Sequence, residues 1–291
     1  MGITPNSPHT ALSPSLRPTA VRTALERLYR RFHRPPYIAT DPLAVLYDYT
    51  DAADREIAGL IAAGLAFGSA AQIQQAARRA LAYLGSRPKL VLLNLPPREI
   101  RRRTAPFRYR WVSGRDLAAF LMGLRRCLRE FGSLEAAVAA CRPRPDIHGD
   151  PAASLRHILS AWTRLLWRAM GVNKHPMWPD PARGGSCKRT LLYLRWMVRR
   201  DAVDPGGWTV LTPDCLLCPV DRHIHRFALA LGITTRSAAD WKTALEITRF
   251  FRSLCPADPC RWDFALTRAA MFHALPNQWT DPPDTPPHPD R

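Results

Sequence analysis

Apolar residues recur along this chain at helical spacing, in segments divided by glycine, proline and short polar turns. Residues 21–32 (VRTALERLYRRF) set one apolar face and predict the first helix. Asp41-Pro42 opens a short helix carrying Leu43, Leu46 and Tyr47, with proline at the first helical position, where its missing N–H costs nothing. Residues 54–65 (DREIAGLIAAGL) form the segment most suited to burial. Its acidic residues cluster at the start, toward the positive end of the helix dipole, and Gly64 and Gly68 loosen its end. After Phe67-Gly68-Ser69 a second helix is predicted over 70–84, followed by a basic connector over 96–107. Helices over 116–131 and 134–141 are divided by Gly132-Ser133, and residues 142–150 (RPRPDIHGD) break the pattern with two prolines and a glycine.

Helix resumes over 151–170, with Leu155, Ile158, Leu159, Trp162, Leu165 and Leu166 on one face. A loop with Pro176, Pro179 and Pro181 leads into Gly184-Gly185-Ser186, and an apolar, aromatic helix is predicted over 188–199. Residues 201–213 are polar and turn-rich. Three further helices are predicted over 221–231, 237–254 and 261–274, with Ser237 and Asp240 at capping-box spacing. Trp162, Trp167, Trp196 and Trp241 fall at core positions of these helices. No useful strand alternation and no repeat of fixed period is present, so the predicted fold is all-α, with two helical subdomains and a cleft between them over residues 20–275. Residues 1–19 read as a disordered arm and 276–291 as a disordered, proline-rich tail.

Charge adds a partner to this picture. The 291 residues carry a formal net charge of +18, a balance that favours polyanions and above all nucleic acid. Nearly all of it is arginine: the lysines are Lys89, Lys174, Lys188 and Lys242, so the amine nucleophiles form a short list. The first twenty residues lack the apolar core of a secretory signal, no apolar run reaches the length of a membrane span, and the cysteines number seven. A monomer in a reducing, nucleoid-associated cytoplasm is expected.

Two of the predicted helix entrances carry candidate chemistry. The Gly184-Gly185-Ser186 turn delivers Lys188 to the start of one helix, and Pro219-Val220 delivers Asp221 to the start of another. An amine desolvated among helices and arginines has its charged form disfavoured, which exposes a nucleophile whose natural electrophile is an aldehyde-like carbon. A carboxylate at a helix N-terminus is held ionised by the dipole and backbone donors, and it stabilises the oxocarbenium formed when an N-glycosidic bond breaks. Lysine plus carboxylate therefore suits cutting a base from a sugar, and the glycine turn offers backbone N–H groups to a phosphate.

The stretches PVDRHIHRFALALGI and GGSCKRTLLYLRW resemble the segments of helix-hairpin-helix DNA glycosylases that supply the catalytic aspartate and lysine. DREIAGLIAAGLAFGSAAQIQQAARRALAYLG is similar to their first helical pair, whose turn wedges into DNA. The span 20–275 also resembles a little-characterised bacterial family near this superfamily, through CKR followed by LRWMVR, PVDRH and DWKTALEIT. The resemblance implies a helical glycosylase fold, Lys188 and Asp221 as catalytic residues, and double-stranded DNA as partner. It further implies DNA contacts from Phe67, Gly68, Ser69, Gly184, Gly185, Ser186, Arg189, Arg222 and His223, with Phe67 as the intercalating residue. The Gly-Gly-Ser-Cys turn departs from the family's Gly-x-Gly hairpin, and the Lys-to-Asp separation is closest to that of the archaeal 8-oxoguanine branch. That points to an oxidised purine.

Other features leave alternatives open. Cys215-x-x-Cys218 and Cys255-x4-Cys260 do not have the spacing of the family's C-terminal iron–sulfur cluster; the CxxC is a zinc or redox pair or two packed thiols, and no metal or cofactor is expected. His223 and His225 orient Asp221, contact phosphate, or simply pack. The Arg98–Arg110 cluster lines a DNA path or is a solvated face. The function expected is a DNA glycosylase with AP lyase activity; a catalytically silent nucleic-acid-binding relative and an RNA-acting enzyme are the alternatives.

Overall fold

The computed structural model describes residues 18–143 and 151–275, and helix dominates them. The expected arm up to residue 17, residues 144–150 of the expected break and the tail 276–291 lie outside the described residues. Pro18 and Thr19, expected in the arm, instead open α1 (Pro18–Phe32). Proline suits a first turn, because the N–H it lacks would have no intrahelical partner.

Two 3-10 turns follow, Pro35–Thr40 and Pro42–Asp48; Asp41 caps the second by accepting the Leu43 N–H at 2.9 Å. Next come α2 (Ala52–Gly64), α3 (Ala70–Ala82) and α4 (Pro88–Asn94). The expected connector over 96–107 is instead largely α5 (Pro97–Thr104). Its charged sequence hides the helix, since Ile100 and Thr104 are its only buried residues. Among the described residues the all-α expectation holds except for one short antiparallel hairpin, β1 (Arg108–Tyr109) and β2 (Val112–Ser113), joined by Arg110-Trp111. Strands of two residues leave no readable alternation.

Ser113 and Asp116 form a capping box that starts α6 (Gly114–Phe131), and α7 (Leu134–Ala139) follows Ser133. Then come α8 (Pro151–Met170), α9 (Lys188–Val198), α10 (Arg222–Ala230), α11 (Trp241–Leu254) and α12 (Asp263–Met271). The expected Ser237 capping box does not form. Asp240 is itself the N-cap of α11, taking the Thr243 N–H at 2.9 Å.

α2 is buried from Glu56 to Gly64 and packs on the second 3-10 turn, α3, α4 and α9. Gly59 permits this closeness: a Cβ there would lie 3.2 Å from both Leu46 and Tyr193 and 3.3 Å from Met197. Glu56, expected simply to favour its own helix start, reaches further. Its carboxylate accepts the N–H groups of Leu134 and Glu135 at the start of α7 and the Trp208 indole at 2.6 Å. Burial raises its proton affinity against the pull of these donors. Elsewhere α6 packs on α5 and α8, and all four tryptophans expected in the core are buried.

The ends of the described chain meet where α1 packs along α12. Arg261 and the Trp262 indole hold Glu26 of α1 at 2.9 and 3.1 Å. Beneath this seam lies a buried ionic network. Arg195 of α9 pairs with Asp263 of α12 and with Asp204 (3.3 Å), while Arg199 pairs with Asp201, Asp204 and Asp258. His33, just past the end of α1, joins through Asp201 at 2.9 Å. The network fixes α9, and with it Lys188, relative to the last helix.

A candidate active-site cleft

The start of α9 is set by backbone conformation more than by side-chain capping. Gly184 (φ +85°) and Cys187 (φ +51°) are both left-handed, and the Cys187 side chain makes no cap bond. Lys188, the first helical residue, is half-buried on the wall of a cleft of about 770 Å³. Among the described residues its amine has no hydrogen bond or ion pair. The start of α10 is set by Asp221, whose Oδ1 accepts the N–H groups of His223 and Ile224, both at 2.8 Å. The second oxygen, Oδ2, makes no hydrogen bond among the described residues. Asp221 lines the same cleft as Lys188.

The Phe67-Gly68-Ser69 turn, Arg222 and His223 line this cleft as well. Ser69 caps α3 through a reciprocal capping box with Gln72. His223 Nε2 accepts from the Arg222 guanidinium at 3.3 Å, and burial together with the surrounding arginines lowers its proton affinity. His225 donates to the Arg236 carbonyl at 2.8 Å and also reaches the cleft. Neither imidazole ring is hydrogen-bonded to the Asp221 carboxylate, which meets His223 only through its backbone N–H.

The structure adds residues that had no role in the site as read from sequence: Asp41, Arg195, Asp263 and Arg268 line the cleft. Arg268 pairs with Asp41 at 3.2 Å and donates to the Thr40 carbonyl at 2.7 Å, tying the first 3-10 turns to α12. Asp263 is 3% exposed; burial pushes its carboxyl up to about 6 against the pull of Arg195, and the charge of Asp221 adds to the rise. The cleft therefore holds three carboxylates, Asp221 capping α10, Asp41 paired with Arg268 and the buried Asp263, together with a cationic wall. Of the arginine cluster over 98–110, Arg110 alone lines the cleft, while Arg102 and Arg103 pair with Glu99 on the surface. The sequence signal for Asp263 was slight, a lone acid opening the apolar run DFAL.

Gly184, Gly185, Ser186 and Arg189 are not brought into the cleft. Gly185 instead bridges to Asp240, and the Gly184 carbonyl accepts the Trp241 N–H at 3.4 Å, so this turn docks on the start of α11. Arg189 is turned inward, a correction to its expected DNA contact. Its guanidinium donates to the carbonyls of Gly64 (3.2 Å) and Pro176 (2.6 Å), lies over the Phe67 ring, and is pulled down to about 10 by burial.

The two cysteines of the CxxC motif face different surroundings. The Cys215 sulfur contacts the Thr212 hydroxyl at 3.4 Å, whereas buried Cys218 approaches Asp263 at 4.0 Å. Among the described residues no group of three or more His, Cys, Asp or Glu side chains is placed to hold a metal ion, and no helix is long and apolar enough to cross a membrane.

No curated protein and no solved structure matches this chain. A family model does, over residues 41–272, a span that runs from the Asp41 cap through the cleft to the end of α12. By that match the chain belongs to the family described as protein of unknown function DUF2400.

Proposed function

We propose that this protein is a DNA glycosylase with associated AP lyase activity, acting on an oxidised purine such as 8-oxoguanine. One observation carries the reading. Lys188 and Asp221, at the entrances of two helices well separated in the chain, line one cleft of about 770 Å³, a size suited to a single nucleoside. The lysine has no carboxylate partner there, and the aspartate keeps one oxygen unused by its helix. The net charge of +18 supplies the field for a polyanion.

Each residue then has a distinct task. A nucleotide turned out of the duplex enters the cleft. The Nζ lone pair of Lys188 attacks C1′, the bond from C1′ to the base breaks, and the base leaves with its electron pair and takes up a proton. Asp221 stabilises the cationic character that develops at the sugar while that bond breaks. Opening of the ring at O4′ gives a protonated imine, loss of a C2′ proton expels the 3′ phosphate, and water then releases the lysine. Arg110 and Arg222, on the cleft wall, meet the phosphates beside the extruded nucleotide.

A panel of duplexes, each with a single lesion, tests the reading. Release of the free base and strand scission from at least one lesion is the expected result, with 8-oxoguanine as the first substrate to try. If the protein binds the duplexes yet releases no base and nicks no abasic site, it is a binding protein of the same fold. Product from RNA alone makes it an RNA-acting enzyme.

A further inference from the structure

We infer that Trp111, at the tip of the β1–β2 hairpin, is a stacking platform for an unpaired nucleobase at the mouth of the cleft. The inference rests on the nucleic-acid reading above and assigns it a contact that the sequence pattern had placed on Phe67. Trp111 is 60% exposed, the most exposed of the large apolar side chains among the described residues, whereas the tryptophans at core spacing are buried. It is not an isolated exposed ring. Its indole stacks on Phe67 with centroids 4.4 Å apart and planes 20° apart, and Tyr109 also stacks on Phe67 at 5.1 Å. The Arg189 guanidinium lies over the same Phe67 ring at 5.5 Å. Phe67 is thus held within a layered stack, and Trp111 presents the outer aromatic surface.

The hairpin is locked in this position. The Tyr109 hydroxyl donates to the Phe67 carbonyl at 2.6 Å, and Arg110 donates to Gln72 at 3.3 Å. Gly68, at φ +131°, allows that approach, because a Cβ there would lie 2.7 Å from the Tyr109 hydroxyl. Arg110 itself sits at φ +51°, a left-handed conformation unfavourable to a side-chain-bearing residue and held by this packing. Trp111 is consequently pre-positioned beside Phe67 and Arg110, both of which line the cleft.

Charge selects the occupant. Arg79, Arg108 and Arg110 are exposed around the tip, and their hydrogen bonds go to carbonyl or amide oxygens, with no carboxylate partner among the described residues. An aromatic face flanked by unneutralised guanidiniums fits a nucleobase with its phosphates, in the manner of single-strand binding surfaces. An apolar peptide would leave those charges unanswered. When a nucleotide leaves the duplex for the cleft, its former partner base or a neighbour loses stacking, and the indole replaces it.

The test compares the full chain with Trp111→Ala and Trp111→Phe on two duplexes. One is intact; the other carries a tetrahydrofuran abasic analogue opposite 2-aminopurine, and affinity is read by fluorescence anisotropy. Trp111→Ala is expected to lose about ten-fold in affinity for the abasic duplex and little for the intact one. Trp111→Phe should retain most of the affinity and the wild-type 2-aminopurine signal. Equal affinities of wild type and Trp111→Ala for the abasic duplex overturn the inference, as does an equal loss on both duplexes. Reductive trapping on a true abasic duplex separates this from the lyase reading. Loss of discrimination without any trapped adduct supports stacking and removes the lyase, whereas trapping with unchanged affinities removes the stacking site and leaves the lyase.

Discussion

Asp221→Asn is expected to slow base release by about two to three orders of magnitude while leaving the fold in place. The separation of these effects follows from the geometry of the cap. Oδ1 takes both helix N–H groups, from His223 and Ile224 at 2.8 Å, and an asparagine carbonyl can take the same two. Asparagine ranks with aspartate as an N-cap, so the thermal midpoint should hardly move. Only the negative charge of Asp221 disappears from the cleft. DNA affinity should hold or rise slightly, since an anion is removed from a site that receives phosphates. Single-turnover base release alongside thermal denaturation reads both effects. An Asp221→Asn protein that keeps its full rate contradicts the role assigned to the carboxylate.

Arg195→Ala has the largest expected effect on stability, a loss of about 3–5 kcal/mol. Arg195 is 2% exposed and serves two buried acids, Asp263 and Asp204. Its truncation leaves both carboxylates in the interior with one fewer counter-charge, and an unpaired buried charge costs more than the pair itself contributes. The loss should depend on pH in a defined direction. Asp263 already has its folded-state proton affinity raised to about 6, above the ordinary carboxylate range, chiefly by burial. A group shifted this way contributes stability at low pH that is lost as pH rises through the folded value. Removing Arg195 pushes Asp263 further in the same direction, so urea midpoints of Arg195→Ala should fall further below wild type at pH 8 than at pH 5. A pH-independent difference would argue against a charge effect. Because α9 carries Lys188 at its other end, the surviving folded protein should also be less active.

Helices with a strong apolar stripe were legible in the sequence, and α2, α6, α8 and α9 lie where their spacing predicts. Failures came where another force chose the structure. In α5 the charged residues dominate and one isoleucine anchors the helix, so periodicity gives no signal. The β1–β2 hairpin is too short to alternate, and its position depends on Tyr109 reaching the Phe67 carbonyl, a contact across 42 positions of the chain. Asp240 rather than Ser237 starts α11, because the Gly184-Gly185 turn docks against it.

The candidate site divides similarly. Lys188 and Asp221 could be picked out because each stands at a helix entrance marked by glycine or proline. That they share a cleft is a tertiary fact. So are the burial of Asp263 beneath Asp221 and the inward turn of Arg189 toward Gly64 and Pro176. Residue type and spacing can nominate a nucleophile, but they do not say which neighbouring arginine faces phosphate and which is consumed by carbonyls inside.

Reductive trapping bears most directly on the central claim. The protein is incubated with duplex containing 8-oxoguanine or an abasic site in the presence of borohydride, and any adduct is digested and mapped by mass spectrometry. A covalent protein–DNA species attached at Lys188, absent in Lys188→Ala, is the predicted result. No adduct, an adduct on another residue, or equal trapping by Lys188→Ala would contradict it.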